Sequence, residues 1–276
     1  MIPTFTIADC AFMPGSKSES LGGENHGLGP THFEWELAAP REARFVTDAF
    51  LKDAPGKGQV AWLSESFFLH PENYWMALQK PFDYVLTHNR YWAENHELEN
   101  WLWQPHGGSW IDLNRWGMQE KTHGVSMILS EKRSLPGHKL RHAVAEEYRF
   151  RNLIDAVYGY VNERVGKFDG LAPFQYSVVI ESERCPGFFS EKLIDCMAVG
   201  TIPIYWGCQD VERYFDMSGV IRVEDMVGIE HALMLARDVD DMTWRKEAAA
   251  RNMEKAKRYR ISEDWIWEHY PFLFEV

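Results

Sequence analysis

The stretch Glu181-Ser-Glu-Arg-Cys-Pro-Gly-Phe-Phe-Ser-Glu-Lys192, followed directly by LIDCMAVGTIPIYWG, decides the fold of this 276-residue chain. It joins an apolar run, YSVVIES (176–182), to a predicted helix over 190–199 and a second apolar run, TIPIYWG (201–207). Two such runs linked by a helix are typical of a βαβ unit with parallel strands. The loop containing Gly187 then lies at the carboxyl edge of the sheet, where open α/β sheets bind ligands.

The same alternation of strand and helix extends in both directions from this unit. VIRV (220–223) predicts a strand after it, with helices near 226–237 and 241–260. VSMILS (125–130) and a long helix from about His138 to Asn162 precede it. In the first half, a helix after Pro71 and another from Asn89 alternate with three strand candidates, QVAWLS (59–64), DYVLTH (83–88) and WLWQP (101–105).

This pattern predicts an α/β protein with two Rossmann-like domains and a cleft between them. A glycine-containing loop around 106–123 marks the boundary, so the first domain is expected over 1–122 and the second over 123–276. Residues 15–32 are rich in Gly and Ser and predict a long loop. The aromatic tail SEDWIWEHYPFLFEV needs a partner surface, which packing back across the first domain would supply.

Composition limits the classes of partner and the compartment. The net charge of −12 argues against a general nucleic-acid or acidic-membrane binder, because phosphate contacts need a surplus of Lys and Arg. No leader-like segment and no run approaching ~18 apolar residues is present. Four cysteines without CxxC or zinc spacing favour free thiols in a reducing compartment: Cys10, Cys185, Cys196 and Cys208. We therefore expect a cytoplasmic protein without a membrane anchor.

The start of the predicted helix at 190–199 carries an unusual charge. Ser190 suits the N-cap and Glu191 the first turn, but Lys192 lies where the helix dipole disfavours a cation. A bound anion would compensate, and a diphosphate is the simplest one that a helix N-terminus and a lysine both favour. The alternative is a solvated lysine paired with Glu191 or Asp195.

A second basic cluster, SEKRSLPGHKLRH (130–142), follows the strand at 125–130. From this edge of the sheet, Arg141 could reach the same diphosphate. The alternative is a surface arginine that pairs with Glu146 or Glu147, since such charge pairs are common along helices.

The segment ESERCPGFFSEKLIDCMAVGTIPIYWG resembles the donor-binding signature of alpha-1,3-fucosyltransferases, glycosyltransferase family ten. The resemblance continues through VSMILSEKR and VIRVEDM, so that it spans most of 125–260. Weaker landmarks in the first half are VAWLSES, FDYVLTHNR and WQPHGGSWI. The chain departs from the family pattern at Ser182, where asparagine is usual, and at Phe188, where tyrosine is usual.

This resemblance implies a GT-B-like fold and an inverting glycosyltransferase that moves a sugar, with fucose expected, from a GDP-sugar to a hydroxyl of a glycan acceptor. It implies Glu65 as the catalytic base and Arg141 with Lys192 as ligands of the donor diphosphate. It also implies a set of contacts to the donor sugar or ribose: Glu181, Ser182, Phe188, Ser190 and Glu191.

The position of Glu65 supports its implied role. It ends an apolar strand, so it is expected at the sheet edge facing the cleft, where desolvation would raise its pKa. The alternative is a surface glutamate that caps a turn. Because Arg141 and Lys192 can neutralise the leaving diphosphate, we predict no essential metal and no cofactor.

Competing functions stay open at this point. They are a non-catalytic module that binds a nucleotide sugar or a glycan, a transferase with a different nucleotide sugar, and a transferase that modifies nucleic acid, which the acidic charge disfavours. A dehydrogenase or epimerase should show GxGxxG after an early strand, and the sequence has none.

Overall fold

The strands form two separate parallel sheets in the computed structural model, which describes residues 2–9, 16–159 and 165–275 apart from the side chains of 239–242. The first sheet has the order β2-β1-β3-β4-β5-β6, and every neighbouring pair is parallel. Its strands are β1 (Thr4–Ala8), β2 (Glu34–Leu37), β3 (Phe45–Thr47), β4 (Val60–Leu63), β5 (Tyr84–Thr87) and β6 (Trp101–Trp103).

The second sheet has the order β11-β10-β9-β7-β8 and is also parallel throughout. The central β9 is buried along nearly its whole length, as expected for a parallel strand covered on both faces. The strands of this sheet are β7 (His123–Ile128), β8 (Ala156–Tyr158), β9 (Phe174–Ile180), β10 (Ile202–Trp206) and β11 (Ile221–Arg222).

Local sequence signals fix where the helices begin. The helix after β9 starts behind Ser190, whose hydroxyl accepts a hydrogen bond from the Lys192 N–H at 3.3 Å, and the helix after β7 starts at Pro136, whose φ suits a first turn. The helices are α1 (Pro71–Gln79), α2 (Arg90–Ala93), α3 (Pro136–Phe150), α4 (Lys167–Leu171), α5 (Glu191–Ala198), α6 (Met226–Leu235), α7 (Val239–Ala256) and α8 (Ser262–His269).

The C-terminal segment packs across the first sheet. Trp265 and Phe274 join Phe5, Phe33 and Trp62 in one buried aromatic cluster. Burial of this apolar surface at about 25 cal/mol per Å² ties the end of the chain to its beginning. The tail thus has the partner surface that its sequence requires, while the exact domain boundaries stay a prediction.

The predicted α/β class with two Rossmann-like domains is confirmed, but the prediction of one long helix is wrong. The helix predicted from His138 to Asn162 ends at Phe150, because Asn152 has a positive φ of 54° that no helix continues through. The short strand β8 follows at 156–158, and Asn162 lies outside the described residues. None of the described helices is both long and apolar enough to cross a bilayer.

Candidate functional site

A cavity of about 910 Å³ lies between the carboxyl ends of the two sheets. Asp48 follows β3 and Glu65 follows β4, so both reach it from the first sheet. The second sheet contributes Arg141 from α3 and the loop after β9. Most of the residues predicted for the site line this one cavity: Glu65, Arg141, Ser182, Phe188, Ser190, Glu191 and Lys192.

Glu181 lies behind the cavity wall. It follows β9 directly, its side chain is inaccessible to solvent, and it accepts hydrogen bonds from Ser190 N at 2.9 Å and Ser190 Oγ at 2.6 Å. A buried carboxylate with two such donors braces the strand end against the start of α5. In this geometry Glu181 positions the loop, and its predicted contact with the donor sugar stays untested.

The start of α5 brings opposite charges together. Lys192 Nζ lies 3.0 Å from Glu191 Oε1 and 3.9 Å from Glu181 Oε2, so the pairing with Glu191 considered for this lysine is present. Lys167 Nζ lies 3.7 Å from the same Glu191 oxygen and 3.8 Å from Asp195. Burial opposes the charge of Glu191, but Lys192 and Lys167 outweigh it and hold the pKa of this carboxyl well below its usual range.

Arg141 is a buried cation that lines the cavity. Its Nε donates to Ile180 O at 2.8 Å, and its Nη2 is buried without a hydrogen-bond partner among the described residues. Burial lowers the pKa of its guanidinium, which stays charged at neutral pH. The alternative pairing with Glu146 or Glu147 is not what the structure shows, because each of these carboxylates lies beside a different arginine.

Gly137 lets α3 approach the end of β9. Its N–H donates to Ser182 O at 3.0 Å, and a Cβ at this position would lie only 1.8 Å from Glu181 O. Because both atoms belong to rigid backbone, a side chain here would push α3, and Arg141 with it, away from the cavity.

Gly137→Ala is therefore expected to destabilise the fold by about 1–3 kcal/mol and to weaken anion binding at Arg141. Urea unfolding and nucleotide titration measure the two effects. The control is Gly117→Ala, since a Cβ there meets only Gln119 Nε2 at 3.6 Å. Equal stability of the two variants would contradict the close approach of α3 to β9.

The environment of Glu65 differs from the predicted one. The residue lines the cavity, but its side chain is exposed. The prediction that its carboxylate is desolvated is therefore wrong. Its backbone N–H donates to both carboxylate oxygens of Asp48 at 3.3 Å. The residue is thus held at the sheet edge by its backbone, while its carboxylate is free to meet a ligand in the cleft.

A buried pair of carboxyl groups, those of Glu19 and Asp48, lies behind Glu65 and was not predicted from the sequence. Ser64 Oγ lies 2.6 Å from Glu19 Oε1 and 2.9 Å from Asp48 Oδ2. A hydroxyl has one proton to donate, so one of the two carboxyls must carry a proton to complete both bonds. Burial raises the pKa of Asp48 to about 6, and burial together with Asp9 raises the pKa of Glu19 well above its usual range.

Asp48→Asn is expected to stabilise the protein above pH 6. A carboxyl with a raised folded-state pKa costs stability as the pH rises from about 4 through 6, and the amide removes that cost, worth about 2–3 kcal/mol at pH 8. Urea unfolding at pH 8 and pH 4 measures the difference, and the gain should vanish at pH 4. A variant that is equally destabilised at both pH values would show that Asp48 is held there as a carboxylate.

Three further residues that line the cavity were not among the predicted site residues. Burial, with a smaller effect of His88, lowers the pKa of His106 to about 3, so this ring is neutral. Burial, with Arg141 nearby, lowers the pKa of His138 to about 4. Trp110 presents a half-exposed indole to the same cavity. His106 and Trp110 lie on a loop whose path the sequence pattern does not define, whereas His138 lies in the first turn of α3.

No model of a known protein family matches the chain. A curated relative, the alpha-(1,3)-fucosyltransferase FucT of Helicobacter pylori, is 30% identical over 67 residues. This segment covers 24% of the chain and 14% of the relative, well under two thirds of that protein's length.

Solved structures of an alpha1,3-fucosyltransferase align along nearly the whole chain. The complex with GDP gives a TM-score of 0.52 at 14% identity and covers 94% of this chain and 90% of that one. The complex with GDP-fucose gives 0.50 at 13% identity, with 94% and 91% covered. The fold of the chain is therefore similar to that of an alpha1,3-fucosyltransferase.

The chain also shares its fold with a second kind of transferase. A solved alpha-glucosyltransferase in complex with UDP-glucose and DNA containing an abasic site gives a TM-score of 0.54 at 10% identity, covering 86% of this chain and 82% of that one. At such identities the likeness concerns the fold, and the predicted GT-B-like fold is confirmed. The donor has to be argued from the residues of the cavity.

Proposed function

We propose that this fucosyltransferase-like chain is an inverting glycosyltransferase that moves a sugar from a GDP-sugar, with fucose expected, to a hydroxyl of a glycan acceptor. The observation that carries the proposal is the buried guanidinium of Arg141, which lines the cavity with Nη2 unpaired among the described residues. A buried cation with an unmet donor is costly unless an anion completes it. The donor diphosphate is such an anion.

The geometry of α5 supports the same site. The N-terminus of this eight-residue helix and the Lys192 ammonium both face the cavity, and both favour a diphosphate. When the donor binds, Lys192 exchanges its contact with Glu191 for the phosphate oxygens. We expect Ser182, Phe188, Ser190 and Glu191 to form the wall beside the donor sugar and ribose, with Glu181 bracing them.

The reaction we propose is a single displacement. Glu65 takes the proton of the acceptor hydroxyl, whose oxygen attacks the anomeric carbon from the face opposite the diphosphate. The bond from that carbon to the diphosphate oxygen breaks, and the electron pair leaves with the nucleoside diphosphate. Arg141 and Lys192 stabilise the developing charge electrostatically, so no metal or other cofactor is required in this scheme.

The proposal is tested by following donor turnover and product stereochemistry. GDP-fucose is incubated with a mixture of glycans, GDP release is measured, and the anomeric configuration of the product is read by NMR. Inversion of the donor's anomeric centre supports the single displacement, whereas retention contradicts it. Activity that is unchanged by millimolar Mg²⁺ supports the metal-independent scheme, whereas activity that requires the ion overturns that part.

A second candidate is a transferase that uses another nucleotide sugar. The likeness to the glucosyltransferase bound to UDP-glucose and DNA favours keeping it. The net charge of −12 argues against a DNA acceptor, because a duplex needs a basic surface. Turnover of UDP-glucose in preference to GDP-fucose would select this candidate, and a chain that binds donor without turnover would be a non-catalytic module.

A further inference from the structure

Three buried side chains of types that bind metals form a cluster outside the cavity, where the loop after β9 meets the first sheet. His88 follows β5, whereas Glu183 and Cys185 belong to the loop between β9 and α5. One nitrogen, one carboxylate oxygen and the sulfur all lie within 4.8 Å of one another. All three side chains are buried, and none of them is among the residues that line the cavity.

Two of the three separations between these atoms match the edges of a zinc site. His88 Nε2 lies 3.3 Å from Glu183 Oε1, and Cys185 Sγ lies 3.8 Å from the same oxygen. In a tetrahedron with ordinary zinc bond lengths, a nitrogen and an oxygen ligand are about 3.3–3.4 Å apart, and an oxygen and a sulfur ligand are about 3.6 Å apart. These two edges fit the ion to within a few tenths of an ångström, and the third, between the His88 nitrogen and Cys185 Sγ, lies within 4.8 Å.

The donor set and its surroundings also suit zinc. Imidazole, thiolate and carboxylate are the three ligand types that zinc takes in proteins. Ser66 Oγ donates to the other oxygen of Glu183, which is the kind of outer contact that orients a metal-binding carboxylate. His88 Nδ1 is buried with no hydrogen-bond partner among the described residues, so with Nε2 on the metal the Nδ1–H needs a water molecule as its acceptor.

We propose that His88 Nε2, Glu183 Oε1 and Cys185 Sγ bind one Zn²⁺ ion, with water or the Ser66 hydroxyl as the fourth ligand. Binding forms three bonds from the protein to the metal and releases the Cys185 thiol proton to the solvent. Because His88 directly follows β5 of the first sheet and the other two ligands belong to the loop after β9, the ion fixes that loop against the first sheet. The role is structural and does not depend on the proposed transferase activity.

The test is metal analysis of the full chain, produced without a histidine tag. Mass spectrometry of the purified protein should find about one zinc per chain, and Cys185→Ser should lower this to below about a tenth. The matched control is Cys196→Ser, because Cys196 is equally buried but contacts Thr201 O instead of the cluster. The control should keep its zinc.

Cobalt substitution gives a readout that needs no variant. Co²⁺ added to metal-free wild-type protein should produce a thiolate-to-cobalt absorption band in the near ultraviolet and be displaced by Zn²⁺. Wild-type protein with less than about a tenth of a zinc per chain and no such band would overturn the proposal and leave the cluster as a hydrogen-bonded contact. Equal zinc in Cys185→Ser and Cys196→Ser would also overturn it.

Discussion

Replacement of Glu65 by glutamine is expected to lower kcat by about 10²–10⁴-fold while the affinity for GDP stays within about twofold of wild type. The amide keeps the size and exposure of the side chain, and the backbone bond from residue 65 to Asp48 is unaffected by the change. The variant loses the carboxylate, which is the group at this position that can take the proton from the acceptor hydroxyl. Initial rates at saturating donor and acceptor, with GDP affinity from calorimetry, separate the two effects.

The control for this variant is Glu131→Gln, since Glu131 is an exposed carboxylate that lines the same cavity after β7. It should keep nearly full turnover. Full activity in Glu65→Gln would remove this residue from the mechanism. If Asp48→Asn then lost turnover instead, the buried carboxyl pair with Glu19 would be the base.

Replacement of Arg141 by alanine is expected to have the largest effect on donor binding. Truncation of one partner of a buried, hydrogen-bonded charge pair typically costs about 2–5 kcal/mol, which corresponds to about 30- to 5000-fold in Kd for GDP. The loss should be larger than for Lys192→Ala, because Lys192 is about a third exposed and can be partly replaced by water. Calorimetry with GDP measures both variants.

Two further variants define what the Arg141 result means. Arg133→Ala removes an exposed arginine that lies beside Glu146, and GDP binding should be unchanged. Arg141→Lys keeps the charge but loses the planar fork, so it should recover only part of the affinity. GDP affinity in Arg141→Ala equal to wild type would show that the buried guanidinium is a structural group rather than a phosphate ligand.

The sequence was sufficient for most of the second sheet. The run over 176–182, the N-cap at Ser190 and the run over 201–207 each carry a strong local signal, and together they define β9, α5 and β10. Short strands carry a weaker local signal. β3 and β8 have three residues each, so neither of them shows a clear period.

The sequence did not predict which side chains of the site are buried, or which residues far apart in the chain lie close together. Nothing in the pattern distinguishes the exposed Glu65 from the buried Asp48, because burial depends on how β3, β4 and the loop at 16–32 meet. The buried His88, Glu183 and Cys185 are likewise invisible to a search for metal-binding spacing, since His88 and Glu183 are 95 positions apart. Cys10, which belonged to the predicted set of thiols, lies outside the described residues.

The central claim is that the cavity between the two sheets binds the diphosphate of a GDP-sugar through Arg141 and Lys192. The most direct measurement is isothermal titration of the purified chain with GDP, UDP and ADP. Selective GDP binding that persists without added divalent metal, and that Lys192→Ala and Arg141→Ala both weaken, is the predicted result. A preference for UDP would contradict the donor assignment, and the absence of binding by all three nucleotides would contradict the claim itself.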